Sequence, residues 1–368
     1  MQTANNEPIR FTRGVPAVES FPTERLIACA EAALRHHGDT LLQYHPVRGF
    51  LPLRERLATD QGVSPAEVMI GNGSIQLLAL IAATFVAPGD AVLVERPTYD
   101  RTITTFRHAG AHVVGIPLES DGPDLAAFEA AIETHAPSLA YLIPDFQNPS
   151  GVTMSLEKRK GILALAEAHD LLIVTDVPYR PLRYWGEDVP DMHALAPDRV
   201  IRLSSFSKLI SPGMRVGWMT AAQEIVDRVA SLGEDTYISP GMLPQGIVHE
   251  FLDRGWMPEN LARLKALYAP RLTAILAGLE RHLPRVACEH PEGGFFLGLT
   301  LPEGVSGPSV RELAAERGVL LSDGTGFFAD GDGTRFVRLP FCALSEAEIE
   351  EGLARLADAV AQAGGLTT

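Results

Sequence analysis

The segment of the sequence that indicates the fold most clearly is Ser204-Ser205-Phe206-Ser207-Lys208-Leu209-Ile210-Ser211-Pro212-Gly213-Met214-Arg215-Val216-Gly217-Trp218. The residues just before it, 200–203, are mostly apolar and predict a strand, and residues 215–219 predict another. Lys208 therefore follows the carboxyl end of a buried strand, where open α/β sheets bind their ligands. The alternative is a surface lysine in a serine-rich loop.

The side chains around Lys208 favour a particular cofactor. A lysine amine can form a Schiff base with an aldehyde. The hydroxyl groups of Ser205 and Ser207 and the guanidinium group of Arg215 can together bind a phosphate dianion. Pyridoxal 5′-phosphate (PLP) is an aldehyde that carries a phosphate, so this stretch predicts a PLP-dependent enzyme.

Length and composition narrow the class of protein. With 368 residues, 46% of them hydrophobic, the chain can form one large domain and a smaller one. The net charge of −15 argues against binding to nucleic acid or to an anionic membrane surface. Cys29, Cys288 and Cys342 show neither zinc spacing nor a disulfide framework, which favours buried thiols in a reducing, cytoplasmic location. We expect no metal site, secretory signal or membrane span.

Strands and helices alternate between about residues 66 and 220. Strand patterns cover 92–95, 112–116, 139–143 and 171–176, and helical patterns cover 74–86, 124–135 and 155–169. Short buried strands that alternate with helices predict an α/β fold, in which a mostly parallel sheet is covered by helices on both faces.

Beyond about residue 240 the pattern changes. A long helix is predicted over 258–282, shorter helices over 308–317 and 345–361, and strands over 293–301, 318–321 and 335–339. We therefore expect a large domain of residues 41–260 followed by a smaller α+β domain of residues 261–368. Residues 1–40 have too small a core to fold alone, so we expect them to pack on the small domain or across the active site.

Two further motifs fit a cofactor site at the strand ends. Gly71-Asn72-Gly73-Ser74-Ile75 opens a helix, where glycine lets the backbone approach an anion and the helix supplies free N–H groups. By itself this motif is typical of an ordinary N-cap. Asp176 ends a buried strand, and a buried carboxylate needs a cationic partner such as the protonated pyridine nitrogen of PLP. An N-cap or a core ion pair is the alternative for Asp176.

Other side chains have both a functional and a structural interpretation. Tyr179 and the amide of Asn148 could bind the phenolic O3′ of PLP, and Tyr99 could offer its ring to the cofactor. Turn residues are the alternative for Asn148 and Tyr99. Arg338 lies inside an apolar strand and could bind a substrate α-carboxylate through two hydrogen bonds, unless it forms a structural salt bridge.

Taken together and in this order, these motifs resemble the PLP-dependent enzymes of fold type I, the class I/II aminotransferases. Residues 8–362 carry the resemblance, and they are most similar to the branch that contains 2-aminoadipate aminotransferases and the catalytic domains of MocR-type regulators. Further matching motifs are Phe11-Thr12-Arg13-Gly14-Val15-Pro16, Leu42-Gln43-Tyr44, Pro97-Thr98-Tyr99, Asn148-Pro149-Ser150-Gly151 and Pro291-Glu292-Gly293-Gly294-Phe295. The resemblance implies a mostly parallel seven-stranded sheet between helices, with a smaller α+β domain.

The resemblance also implies roles for single residues. Lys208 would carry the cofactor and move a proton between substrate Cα and cofactor C4′, Asp176 would pair with the pyridine nitrogen, and Tyr99 would stack on the ring. The groups implied to hold the phosphate are Gly73, Ser74, Ile75, Ser205, Ser207 and Arg215, while Asn148 and Tyr179 would face O3′. Tyr44 would reach the phosphate of a neighbouring subunit, so that a homodimer shares its active sites.

Substrate recognition follows from the same resemblance. Arg338 and Asn148 would bind the α-carboxylate of an amino acid or 2-oxo acid, and Arg13 and Gly14 are further candidates near the substrate. Arg13 could bind a second carboxylate or be an ordinary solvated arginine.

Three other activities compete with transamination. The same scaffold could catalyse β-elimination of a C–S bond, decarboxylation, or an oxidative or cyclising step in secondary metabolism. A MocR-type regulator would need a basic winged-helix domain, whereas the sequence begins with the catalytic part. A Rossmann dehydrogenase is disfavoured because Gly71-Asn72-Gly73 does not continue as a dinucleotide-binding motif.

Overall fold

A computed structural model describes residues 7–364 of the chain. The main sheet has the strand order β2-β9-β8-β7-β6-β3-β4-β5. Its strands are β2 (Val68–Gly71), β3 (Ala91–Arg96), β4 (His112–Glu119), β5 (Gly122–Pro123), β6 (Leu139–Leu142), β7 (Leu172–Asp176), β8 (Val200–Ser205) and β9 (Gly217–Thr220). The four pairings from β8 through β7, β6 and β3 to β4 are parallel, which confirms the predicted α/β class with a mostly parallel sheet.

The sheet has eight strands where seven were expected. The additional strand, β5, has only two residues and pairs antiparallel with the end of β4. Such a short edge strand leaves no periodic pattern in the sequence, because an alternation needs several residues to be visible.

Nine α-helices within residues 7–253 surround this sheet. They are α1 (Thr23–Leu41), α2 (Leu51–Gln61), α3 (Ser74–Phe85), α4 (Asp100–His108), α5 (Leu125–His135), α6 (Leu156–Ala168), α7 (Met192–Leu195), α8 (Gln223–Tyr237) and α9 (Met242–Asp253). The side chains of Asp124 and Ser155 accept hydrogen bonds from the first free N–H groups of α5 and α6, which fixes where these helices begin.

Neighbouring residues of the central strands pack on opposite faces of the sheet. In β3, Val92 and Val94 join the apolar cluster that contains Leu77 of α3, whereas Leu93 joins the cluster that contains Phe128 of α5. This alternation follows from the period of two in a strand. It buries both faces of the sheet and leaves its carboxyl edge for polar loops.

The remaining elements follow α9 in the sequence. They are α10 (Met257–His282), β10 (Ala287–Cys288), β11 (Phe296–Thr300), α11 (Gly307–Glu316), β12 (Val319–Leu321), β13 (Phe336–Pro340) and α12 (Glu346–Ala363). Strands β10, β11 and β13 form an antiparallel sheet. The side chain of Ser345 caps α12 together with Glu348. No helix within residues 7–364 is both long and apolar enough to cross a membrane.

The N-terminal segment contacts this C-terminal part. Strand β1 (Ile9–Phe11) pairs in parallel with β12. Ile9 and Phe11 lie in the same apolar cluster as Leu353 of α12. The chain after β1 is thereby led toward the carboxyl edge of the main sheet.

Candidate active site

A cavity of about 370 Å³ lies at the carboxyl edge of the main sheet. It brings together most of the predicted site residues: Arg13, Gly14, Ser74, Ile75, Tyr99, Asn148, Asp176, Tyr179, Ser205, Ser207, Lys208, Arg215 and Arg338. Four of them are placed by parallel strands, because Tyr99, Asn148, Asp176 and Lys208 lie at or shortly after the carboxyl ends of β3, β6, β7 and β8. The predicted position of Lys208 at a strand end is therefore the observed one.

Lys208 lines the cavity. Its Nζ atom donates a hydrogen bond of 3.0 Å to the carbonyl oxygen of Gly14 and lies 5.9 Å from the ring centre of Phe295. Burial lowers the pKa of the Lys208 amine, and the positive charges of Arg215 and Arg338 act in the same direction. A lower pKa enlarges the neutral, nucleophilic fraction of the amine, which is the form that attacks an aldehyde.

The groups expected to bind phosphate form a cradle at one end of the cavity. The Nη2 atom of Arg215 donates to the carbonyl oxygen of Asn72 at 3.1 Å, which holds the guanidinium beside the start of α3. A Cβ atom at Gly73, whose φ is +89°, would lie 2.3 Å from that Nη2 atom. The backbone conformation thus favours glycine here, and a Cβ atom would displace the Arg215 guanidinium, although Gly73 does not itself line the cavity. No side chain caps α3, so its first N–H groups remain available to an anion.

Arg215 differs in one respect from its prediction. The sequence predicts a strand from residue 215, but β9 begins at Gly217 and Arg215 has a left-handed backbone with φ of 52°. This turn directs the Arg215 side chain toward Gly73 rather than along the sheet.

Asp176 is 6% exposed and carries one unsatisfied carboxylate oxygen. Its Oδ2 atom accepts a hydrogen bond of 3.0 Å from the hydroxyl group of Tyr141, while its Oδ1 atom has no partner within residues 7–364. Burial raises the pKa of Asp176 to about 7, and the Tyr141 hydrogen bond and the charge of Lys208 oppose this shift. A cationic N–H group, such as a protonated pyridine nitrogen, would satisfy the free oxygen.

Arg338 is held between two aromatic rings. Its guanidinium carbon lies 4.9 Å from the ring centre of Phe296 and 4.5 Å from that of Phe327. One edge donates to Asn148 Oδ1 at 3.1 Å and to the carbonyl oxygen of Thr12 at 2.6 Å, and its Nε atom has no partner within residues 7–364. Burial lowers the pKa of Arg338. An incoming carboxylate would satisfy a cation that is otherwise costly to bury.

The remaining aromatic candidates define the walls. Tyr179 is buried and its ring lies edge-on to Phe296, with 5.6 Å between ring centres. Tyr99 immediately precedes α4, and burial raises its pKa. Both rings line the cavity, so they are positioned to contact a planar ligand.

Two predicted site residues, Tyr44 and Arg13, have exposed side chains. Tyr44 does not line the cavity, and 78% of its surface is exposed. Arg13 lines the cavity but is exposed, and it forms no ion pair with any residue between 7 and 364. The structure leaves the functional roles of both as predictions.

A buried hydrogen-bond network beneath the site was not predicted from the sequence. Glu95 Oε2 accepts hydrogen bonds of 3.0 Å from the N–H of Ile143 and from Gln147 Nε2, and the Gln147 amide also donates to the carbonyl oxygen of Pro97 at 2.7 Å. Gln147 thereby joins the loop of Tyr99 to the loop of Asn148. Burial raises the pKa of Glu95 to about 8. A carboxylate at the end of the apolar run 92–95 is the signal that could have identified it.

Comparisons with known sequences agree over almost the whole chain. A family model described as aminotransferase class I and II matches residues 8–356. A 2-aminoadipate transaminase from Thermus thermophilus is 37% identical over 357 residues, which cover 96% of this chain and 90% of that protein. Aromatic-amino-acid aminotransferase 1 from Thermococcus litoralis is 35% identical over 368 residues, which cover 96% and 88%.

The same similarity is found among solved structures. The alpha-aminoadipate aminotransferase of Thermus thermophilus, complexed with N-(5′-phosphopyridoxyl)-L-leucine, superposes with a TM-score of 0.93 at 36% identity. The match covers 98% of this chain and 94% of that one.

Proposed function

Because the chain belongs to the class I and II aminotransferase family, it is a PLP-dependent aminotransferase, and we propose which of its residues carry the reaction. The predicted fold type I, the enzyme class and the cofactor are confirmed by this membership. Its substrates are accordingly an amino acid and a 2-oxo acid. One observation carries the assignment of residues: Asp176 Oδ1, buried in a cavity that also holds Lys208 and an anion cradle, has no partner within residues 7–364.

The residues present fit PLP. When bound, PLP supplies an aldehyde that takes up the amino group and a pyridinium ring that withdraws electrons from the substrate Cα atom. We assign the phosphate to the cradle formed by Arg215, Ser205, Ser207 and the N-terminus of α3. Asp176 holds the pyridine nitrogen, Tyr99 packs on the ring, and Asn148 and Tyr179 bind O3′.

Lys208 acts as the proton carrier. Its amine would hold the cofactor aldehyde when no substrate is bound, and in its neutral form it would carry the proton between substrate Cα and the cofactor. The lowered pKa of Lys208 supports this role, because a base must be unprotonated to accept a proton. Arg338, with Asn148, holds the substrate α-carboxylate and so keeps Cα within reach of the amine.

We further propose that one substrate is a dicarboxylic amino acid such as 2-aminoadipate. Arg13 supports this, because it lies at the exposed side of the cavity without an ion-pair partner between residues 7 and 364. With Arg338 engaged by the α-carboxylate, a second carboxylate at the end of the side chain would meet the Arg13 guanidinium.

We also propose a homodimer with shared active sites. Tyr44 is 78% exposed and lies outside the cavity of its own chain. Leu42 and Leu51, near it in the sequence, are exposed as well, which gives a partially apolar surface suited to a second copy. In such a dimer the Tyr44 hydroxyl would bind the cofactor phosphate of the partner.

The test of the activity uses the PLP-loaded enzyme and single amino acids without a 2-oxo acid. Transamination converts the bound cofactor to its pyridoxamine form, seen by absorbance, and releases one equivalent of 2-oxo acid. Release of ammonia with pyruvate and a thiol from a cysteine conjugate would instead identify β-elimination. Release of carbon dioxide would identify decarboxylation.

A further inference from the structure

We propose that Tyr141 is a positioning residue: its hydroxyl group holds the Asp176 carboxylate and keeps it a weak base, so that the proton shared with the cofactor stays on the pyridine nitrogen. This inference rests on the proposed role of Asp176. Tyr141 does not line the cavity, and it acts through Asp176 rather than on a ligand.

The two residues lie on adjacent parallel strands. In the register of β6 and β7, Tyr141 is opposite Val174, two residues before Asp176. The Tyr141 hydroxyl donates to Asp176 Oδ2 at 3.0 Å, and no surface of Tyr141 is exposed. The ring of Phe106 lies edge-on to the Tyr141 ring at 6.2 Å. Because packing encloses the ring, the phenol cannot turn away, and the carboxylate is held through one oxygen.

The hydrogen bond also affects the basicity of Asp176. Burial raises its pKa, whereas the Tyr141 bond and the positive charge of Lys208 lower it. Tyr99 and Tyr179, from the loops after β3 and β7, also lie near Asp176, whose negative charge contributes to raising the pKa of both phenols after the larger effect of burial. Within residues 7–364 only Tyr141 donates a hydrogen bond to this carboxylate.

Tyr141 is suited to be a permanent donor. Burial and the Asp176 charge raise the pKa of the phenol well above its ordinary value, so the hydroxyl remains protonated near neutral pH. A carboxylate that loses this donor becomes a stronger base. It would then take a larger share of the proton in its bond to the pyridine nitrogen, and the ring would withdraw electrons less well.

The variant Tyr141→Phe tests the inference, because it removes one hydroxyl and keeps the ring that fills the core. The main readout is the ¹⁵N chemical shift of the pyridine nitrogen in enzyme loaded with labelled PLP. We expect this shift to move toward the unprotonated value. We expect kcat to fall about ten-fold, which is the effect of losing one hydrogen bond to a charged group. We expect KM to change by less than about two-fold. The acid limb of the kcat/KM profile should move to higher pH.

Tyr184→Phe is the matched control. The Tyr184 hydroxyl donates a partly buried hydrogen bond of 2.6 Å to the carbonyl oxygen of Gly294, so the variant loses a tyrosine hydrogen bond away from Asp176. It should keep the wild-type ¹⁵N shift and pH profile. An unchanged ¹⁵N shift in Tyr141→Phe would overturn the inference and leave Tyr141 as a packing residue.

Two further samples separate the possible failures. 3-Fluorotyrosine in place of Tyr141 is nearly isosteric and a stronger donor, so it must move the ¹⁵N shift toward the protonated value, even if the phenylalanine variant does not fold. Asp176→Asn must remove the protonated signal in any background. If it does not, the proposed role of Asp176 fails; if only Tyr141→Phe has no effect, the role of Tyr141 fails alone.

Discussion

The side-chain nitrogen of Lys208 donates a hydrogen bond of 3.0 Å to the carbonyl oxygen of Gly14, a residue 194 positions earlier in the sequence. Arg338 binds the same segment through the carbonyl oxygen of Thr12. The residues proposed to engage the cofactor and the substrate therefore both contact the N-terminal segment. This segment forms one wall of the cavity, which is lined by the side chain of Arg13.

Lys208 should be the point of covalent attachment of PLP. Reduction of the loaded enzyme with borohydride, followed by peptide mass mapping, should place a phosphopyridoxyl group on Lys208. Lys208→Ala should retain weak PLP binding through the phosphate cradle and lose turnover by several orders of magnitude, because both attachment and proton transfer are lost. The exposed Lys160 provides the control, since Lys160→Ala should be fully active. A label on another lysine would exclude the assignment.

Asp176→Asn should bind PLP and lose most of its activity. The amide cannot hold a protonated pyridine nitrogen, so the transition state loses several kcal/mol, on the order of a hundred-fold or more in kcat. Single-turnover kinetics with a saturating amino acid measure the chemical step directly. Near-wild-type turnover would remove Asp176 from the site.

Mixing two impaired variants should restore activity if the active sites are shared. Lys208→Ala and Tyr44→Phe homodimers should each be impaired. In a mixed dimer, one site would contain both defects and the other neither, so a random mixture regains about a quarter of wild-type activity. If Tyr44 serves its own subunit, mixing restores nothing. An active monomer by light scattering would also contradict the proposal.

Arg13→Gln should change substrate preference. With the second carboxylate unbound, KM for 2-aminoadipate or glutamate should rise about ten-fold, while KM for leucine stays within about two-fold. Arg10→Gln is the control, because Arg10 is exposed on β1 and does not line the cavity. If Arg13→Gln changed KM equally for leucine and for glutamate, Arg13 would not bind the side-chain carboxylate of the substrate.

The stability of the cofactor-free enzyme should fall as pH rises from about 5.5 to 8. Burial raises the pKa of Glu95 from 4.5 to about 8 in the folded state. As pH rises, Glu95 therefore ionises in the unfolded chain before it ionises in the folded protein. The folded state binds more protons in this window, and its free energy of unfolding decreases until pH passes the folded pKa. Glu95→Gln should flatten this slope in urea unfolding, with a residual slope from Asp176, whose pKa is raised to about 7. The exposed Glu129→Gln should keep the wild-type slope; a Glu95→Gln slope equal to wild type would refute the shift.

The sequence predicts the parts of the site that parallel strands place. An apolar run that ends in a polar residue identifies both the strand and its carboxyl end, and Lys208, Asp176 and Asn148 all follow such runs. Because these ends meet at one edge of the sheet, their proximity follows from topology alone. The residues Arg338 and Arg13 come from distant parts of the chain. Arg338 was indicated by its place inside an apolar strand, whereas no such pattern distinguishes Arg13 from a solvated arginine.

Contacts that depend on register or on local backbone could not be predicted in the same way. Tyr141 appears in the sequence as one more core residue of an apolar strand, and its bond to Asp176 depends on the alignment of β6 with β7. Arg215 lies next to an apolar run, but its left-handed conformation ends the loop before the strand begins. The spacing of apolar residues indicates which side chains are buried, but it does not indicate which polar atoms form hydrogen bonds with each other.

The pairing of β1 with β12 also determines the order in which the site can be completed during synthesis. Strands β2 to β9, with the cradle, Asp176 and Lys208, leave the ribosome long before Val319–Leu321 does. Until then, Ile9–Phe11 lacks the strand with which it pairs, and the segment that contacts Lys208 is held only on its far side, where Ala17 and Ser20 bond to α10. We therefore expect the cofactor site of a nascent chain to form before the wall of Arg13 and Gly14 is fixed at both of its ends.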